Sequence, residues 1–194
     1  MPPPPPPGPT TPPPGPPGTK AVPIVVMGVS AAGKTSVAKA IAAAGVFPFV
    51  DADALHPAAN VAKMARGEAL EDVDRWPWLD DVAHVLADGA EAGGIVVACS
   101  ALRRRYRDRL RAGAPGTVFV HLTGAPELLA QRAAARTGHF MPPALLRSQL
   151  DTLENLEADE AGVAVDVTPS VADVAATAVT WLAGHAAELV KDGA

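Results

Sequence analysis

Gly28-Val29-Ser30-Ala31-Ala32-Gly33-Lys34-Thr35 has the spacing G-x-x-x-x-G-K-[ST]. These residue types at this spacing are suited to holding a polyphosphate. Gly28 and Gly33 let the backbone turn tightly enough for its amides to face phosphate oxygens. Lys34 reaches the β- and γ-phosphates, and Thr35 places a hydroxyl on Mg²⁺. Ser36 follows in the first turn of a predicted helix, whose N-terminus adds a partial positive charge. Gly28 to Ser36 are therefore the candidate ATP-binding residues. Ala31 and Ala32 still turn their amides inward if the local backbone permits.

The cradle does not name the group that receives the phosphate. Asp51 and Asp53, in "DADALHP", stand at the end of a short apolar run. One carboxylate there can hold the metal's hydration shell, and a second can orient and deprotonate an attacking hydroxyl. The same spacing also fits two loop aspartates capping the following helix. His56, single and before a proline, reads more readily as a cap or packing residue than as a ligand. Arg66, Lys63 and Arg75 read as solvated charges or as ligands of an anion. "ALRRRYRDRLR" carries six arginines. Helical spacing puts Arg103, Arg107 and Arg111 on one face; such a run is commonly a solvated face, but an anionic acceptor or an ATP phosphate would use the first of them, Arg103 and Arg107. Arg132 and Arg136 lead into "TGHFMPP" with His139. Such a pair can stack on a base and clamp phosphates when a lid closes, or can be two exposed helix arginines.

These residues need elements to position them. "VPIVVM", "VFPFV", "GGIVVACS", "TVFVHL" and "VAVDV" are short β-branched runs and predict five buried strands. Between them lie helical patterns over Lys34–Ala44 (ending at Gly45), His56–Arg66 (with Pro57 in the first turn), Leu79–Ala92, the Leu102/Tyr106/Leu110 face, Pro126–Arg136, and Leu145–Leu153. A last helix opens near Pro169, with Val171, Val174, Ala175, Ala178 and Leu182 on one face. Strict alternation predicts an α/β fold with a parallel sheet covered on both faces. Ligands of such sheets bind at the carboxyl ends of the strands, here Gly28, Asp51, Cys99, Leu122 and Val167.

The remaining composition bounds the function. The chain has 194 residues, enough for one domain with its own core. Twelve of the first 19 residues are proline, so 1–19 is predicted to be a disordered tail and 20–194 the folded domain. A net charge of −5 argues against nucleic acid as partner. No apolar run approaches the roughly 18 residues of a membrane span. Cys99 is the sole cysteine, and proline stands where a signal peptide would be apolar. These features predict a cytoplasmic protein.

"MGVSAAGKT", "DADALHP", "NVAKMARGEALEDVDRWPWL", "CSALRRRYRDRLR" and "RTGHFMPPALLRSQLDTLE" occur in that order. Together they closely resemble the small P-loop gluconokinases, relatives of shikimate and adenylate kinases. The resemblance runs from about residue 22 to residue 182. It implies a nucleoside-monophosphate-kinase-like fold with a mobile lid at about 136–143, and a homodimer. It implies ATP- and Mg²⁺-dependent phosphorylation of D-gluconate on its 6-hydroxyl. By position it makes Lys34 and Asp53 catalytic, and Thr35 and Asp51 the metal side. It makes His56, Arg66 and Arg103 the grip on gluconate, and Arg132 and Arg136 the lid arginines. The loop departs from the common family form at Ala31-Ala32, where Gly-Ser is usual. A kinase of another small hydroxy acid such as shikimate, or a nucleotide-binding module without turnover, are the competing readings.

Overall fold

A computed structural model describes residues 22–135 and 143–191. The tail expected at 1–19 lies outside them, as do Arg136, His139 and the lid expected from 136, save Pro143, which opens a helix.

Five strands form one parallel sheet. They are β1 (Pro23–Met27), β2 (Phe49–Asp51), β3 (Ile95–Ala98), β4 (Val118–Thr123) and β5 (Gly162–Asp166), in the order β2-β3-β1-β4-β5. All five residues of β1 are buried. Such a continuously apolar strand needs cover on both faces, and side chains alternate to supply it. Ile24 and Val26 point to one side, where α1 (Lys34–Gly45), α5 (Pro126–Ala135), α6 (Pro143–Thr152) and α7 (Val171–Lys191) contribute Ile41, Leu129, Leu146 and Val174. Val25 and Met27 point to the other. There α3 (Asp72–Glu91) and α4 (Arg104–Gly113) contribute Trp78, Leu79, Leu86, Tyr106 and Leu110. A short helix α2 (Ala58–Ala65) follows a 3-10 turn at Ala52–Leu55.

The chain leaves β1 on one side for β2 and β3 and on the other for β4 and β5. The carboxyl end of β1 is therefore where connections diverge, the position at which open α/β sheets bind ligands. Gly28 sits there with φ +139, and a Cβ on it would stand 2.8 Å from the Leu122 carbonyl oxygen. Only glycine lets the chain leave β1 so close to β4.

Three boundaries differ from the sequence reading. Helix α3 begins at Asp72, seven residues before the apolar face becomes visible, and contains Pro77. Its first turn is held by polar contacts: Asp74 accepts from the Glu71 amide at 2.7 Å and from Lys63 at 2.6 Å. Gly45 is the last residue of α1, and Val46 takes the left-handed position after it, φ 56. Pro57 caps α2 from outside instead of lying in its first turn.

Candidate active site

The loop between β1 and α1 has the shape its sequence demands. Gly33, φ 90, opens α1 without any side-chain cap, so the helix N-terminus faces the loop's concavity. Ala31 holds φ 63, a left-handed conformation that alanine adopts at some cost. The Lys34 ammonium donates to the Val29 carbonyl at 3.1 Å, folding its side chain over the loop. The Ser30 amide donates to Gln149 Oε1 at 2.6 Å.

In the first turn of α1, Thr35 Oγ1 donates to Asp51 Oδ2, at the end of β2, at 2.9 Å. The hydroxyl and carboxylate that the sequence assigns to a metal are thus adjacent, although 16 residues apart. Both are oxygen donors, the class that Mg²⁺ takes, and two protein oxygens suit an ion that keeps several waters and phosphate oxygens. The other Asp51 oxygen accepts from the Asp53 amide at 3.2 Å and so caps the 3-10 turn. Capping and site geometry coincide: the bond that caps the turn also fixes Asp53, exposed, beside the Thr35–Asp51 pair.

His56 ends that turn. Its ring stacks on Trp78 at 4.2 Å and 16°. Trp78 is buried and donates to the Ala52 carbonyl at 2.7 Å, so one indole orients both the turn and the imidazole. Burial pushes the His56 pKa down, outweighing the attraction of Asp53, and Arg75 lowers it further. The ring is neutral at pH 7. Asn60 Nδ2 donates to the Asp74 carbonyl at 2.8 Å and lies 3.4 Å from His56 Nδ1. It is a donor toward Nδ1 as well, which leaves the hydrogen on Nε2.

Arg103 stands at the N-cap position of α4; its guanidinium lies 3.8 Å from Asp72 and is one third exposed. Asp72 also accepts from Tyr106 Oη at 2.5 Å and pairs with Arg105, while Arg75 donates to Tyr106 at 3.2 Å. The result is a cationic rim beside the turn that carries Asp53 and His56. Arg132 donates to the Val167 carbonyl at 2.8 Å, at the end of β5 and on the same edge of the sheet.

One expectation is corrected in geometry. Arg107 is wholly buried and bonds Glu160 through two nitrogens at 2.7 Å each. It also donates to the carbonyls of Ala101, Glu154 and Asn155. With its donors spent inside the core, it cannot grip a substrate. Arg66 closes the far end of α2, about 12 Å along the helix from its start, and pairs with Glu68 at 2.7 Å on the surface.

Trp78, Asn60 and Gln149 were not foreseen as site residues. Gln149 did leave a signal, a polar residue inside the Leu146/Leu150/Leu153 stripe. Trp78 left none, because it acts on the Ala52 carbonyl 26 positions away, and Asn60 was hidden because a polar residue four positions after His56 is common on any exposed helix face. Cys99, at the end of β3, is buried and its thiol is pushed up to about 12, chiefly by burial. It is therefore unreactive.

The family model described as Shikimate kinase matches residues 30–182. The chain is 49% identical to a gluconokinase of Gluconobacter oxydans strain 621H, over 71% of this chain and 78% of that one. It is 44% identical to the thermosensitive gluconokinase of Escherichia coli strain K12, over 77% and 81%. The crystal structure of a gluconokinase from Sinorhizobium meliloti 1021 superposes with a TM-score of 0.84 at 47% identity, covering 91% of this chain and 99% of that one. The chain belongs to the gluconokinase family. The gluconokinases sit within the shikimate-kinase-like P-loop fold, and the five-stranded parallel sheet and phosphate loop described above have that architecture. Among the described residues no helix is long and apolar enough to cross a membrane.

Proposed function

We propose that this protein transfers the γ-phosphoryl group of ATP to the 6-hydroxyl of D-gluconate, releasing 6-phospho-D-gluconate and ADP. One observation carries the reading: a family phosphate loop whose Thr35 meets Asp51 at 2.9 Å, with Asp53 fixed by that same carboxylate. The gluconokinase relatives favour gluconate over shikimate as acceptor, although the matching family model is described as Shikimate kinase.

In this reading Asp53 accepts the proton of the attacking hydroxyl. Its exposure lets a substrate reach it, and the Asp51 contact holds its backbone in the turn. His56 presents Nε2–H to a gluconate hydroxyl. Arg103, on the cationic rim, takes the carboxylate in a charge-assisted bond. Thr35 and Asp51 hold Mg²⁺, which neutralises charge on the β- and γ-phosphates when bound. Lys34 leaves the Val29 carbonyl for the phosphates, and Arg132 with Arg136 covers the nucleotide. The protein acts in the cytoplasm as a homodimer, which sedimentation would register as twice the 19.7 kDa chain mass.

The test is ADP release from MgATP with one acceptor at a time: gluconate, shikimate, other sugar acids and AMP. Release with gluconate alone is expected. Nucleotide binding without release for any acceptor would replace the kinase with a binding module.

A further inference from the structure

Helix α6 touches the phosphate loop through a contact that the transfer chemistry above does not use. Gln149 Oε1 accepts from the Ser30 amide at 2.6 Å, across 119 positions of sequence. The glutamine is delivered by a fixed element. Leu146 is buried, and Leu150 and Leu153 pack on the same cluster as Val29 and Ala32 of the loop itself. Helical spacing sets Gln149 between them. Just beyond the helix the chain is locked: the Glu154 amide donates to the Leu102 carbonyl at 2.7 Å. Arg107 grips the Glu154 and Asn155 carbonyls at 2.9 and 3.1 Å, and Glu160 holds Arg107.

The loop needs such a support. Ala31, the residue after Ser30, holds φ 63. A left-handed alanine lies roughly 1–2 kcal/mol above the right-handed form and persists only where its surroundings determine it. The peptide joining Ser30 to Ala31 must keep one orientation for the following amides to face a phosphate. Ser30 is the residue that Gln149 fixes.

We propose that Gln149 is a positioning residue for the nucleotide: it pins the Ser30 backbone, keeps Ala31 left-handed, and ties the phosphate loop to α6. The proposal rests on the kinase reading of this site. Without the acceptor at 149, Ala31 relaxes toward negative φ and the loop's amides turn away from the phosphate position. Nucleotide binding then weakens, while the gluconate side, built on Asp53, His56 and Arg103, is untouched.

The experiment uses the full chain with Gln149→Met, which keeps side-chain length and removes the acceptor, and Gln149→Glu, which keeps an acceptor oxygen. Hydrogen–deuterium exchange of the amides from 28 to 36 is read in ligand-free protein, and kcat and both KM values are read in the assay. Gln149→Met is expected to speed loop exchange about tenfold. It should raise the KM for ATP about tenfold and leave the KM for gluconate within about twofold. Gln149→Glu should restore slow exchange. Wild-type exchange in Gln149→Met overturns the proposal, as does a loss spread equally over both KM values and thermal stability. Wild-type protein that releases no ADP with gluconate would sink the kinase reading. The exchange comparison, made without ligand, would still decide the role of Gln149.

Discussion

In the proposed reaction Lys34 and Asp53 act on opposite partners of the transfer, so their loss is separable in an assay. Lys34 compensates charge on the phosphates, a term felt most in the transition state. Lys34→Ala is expected to fold and to lose turnover by about 10³-fold or more, in single-turnover measurements of ADP formation. Near-wild-type turnover would remove the phosphate-loop assignment. In the same proposal Asp53 serves the acceptor. Asp53→Asn keeps the amide that donates to Asp51 and removes only the proton acceptor. It is expected to bind ATP with wild-type affinity and to lose about 10²–10⁴ in kcat. An Asp53→Asn protein with full kcat would transfer the general-base role elsewhere. His56 differs from both, because burial keeps it neutral. It is a hydrogen-bond donor through Nε2, so its replacement should raise the KM for gluconate more than it lowers kcat.

Helix α4 explains how far the sequence could be read. Its apolar stripe was legible only in part: Tyr106 and Leu110 lie on α4 and are buried in the cluster under α3, whereas Leu102 precedes the helix and packs in the cluster on the other face of the sheet. The five strands were legible, because each is a β-branched run too short for a helix. The arginines between them were not separable: Arg103 and Arg107 share a face, and both stand near the active edge of the sheet. What separates them is Glu160, 53 positions after Arg107 in the chain, and no local pattern announces that pairing. The early start of α3 was hidden for the same reason, since Lys63 and Tyr106 hold its first turn from outside. Substitution converts the difference into numbers. Arg107→Ala leaves Glu160 buried without its main partner and should cost about 3–5 kcal/mol in denaturant unfolding. Arg103→Ala removes a half-solvated pair worth under about 1 kcal/mol. It should leave stability unchanged and raise the KM for gluconate at least tenfold. If the stability losses were reversed, Arg107 would return to the list of ligands.

The whole molecule stores a pH dependence on the face of the sheet away from α1 and α7. His121 on β4 is buried, and its Nε2 has no hydrogen-bond partner among the described residues. Burial pushes its pKa down to about 4, Arg107 pushes the same way, and Glu160 opposes them. Arg111 pairs with that same Glu160 and lies over Phe119, two residues before His121, adding to the positive surroundings. The folded state therefore refuses a proton that the unfolded chain accepts near its ordinary 6.5. Stability is fully present above that value and is lost as pH falls from about 6.5 toward 4. By linkage the loss between pH 7 and pH 5 is about 2 kcal/mol for this one group. Carboxylates held low by partners, such as Asp72 and Asp74, add their own loss only at lower pH, because they protonate in the unfolded chain near 4. His56, also held low, contributes in the same direction but is common to wild type and to a His121 variant, so it cancels. Thermal melts of wild type and His121→Gln at pH 7 and pH 5 isolate the effect. The variant can be less stable at both pH values without harm to the test, since the slope carries the information. The expected result is a shallower fall for His121→Gln by about 2 kcal/mol, whereas parallel melts would mean that His121 is protonated in the native core, with Glu160 as its counter-ion.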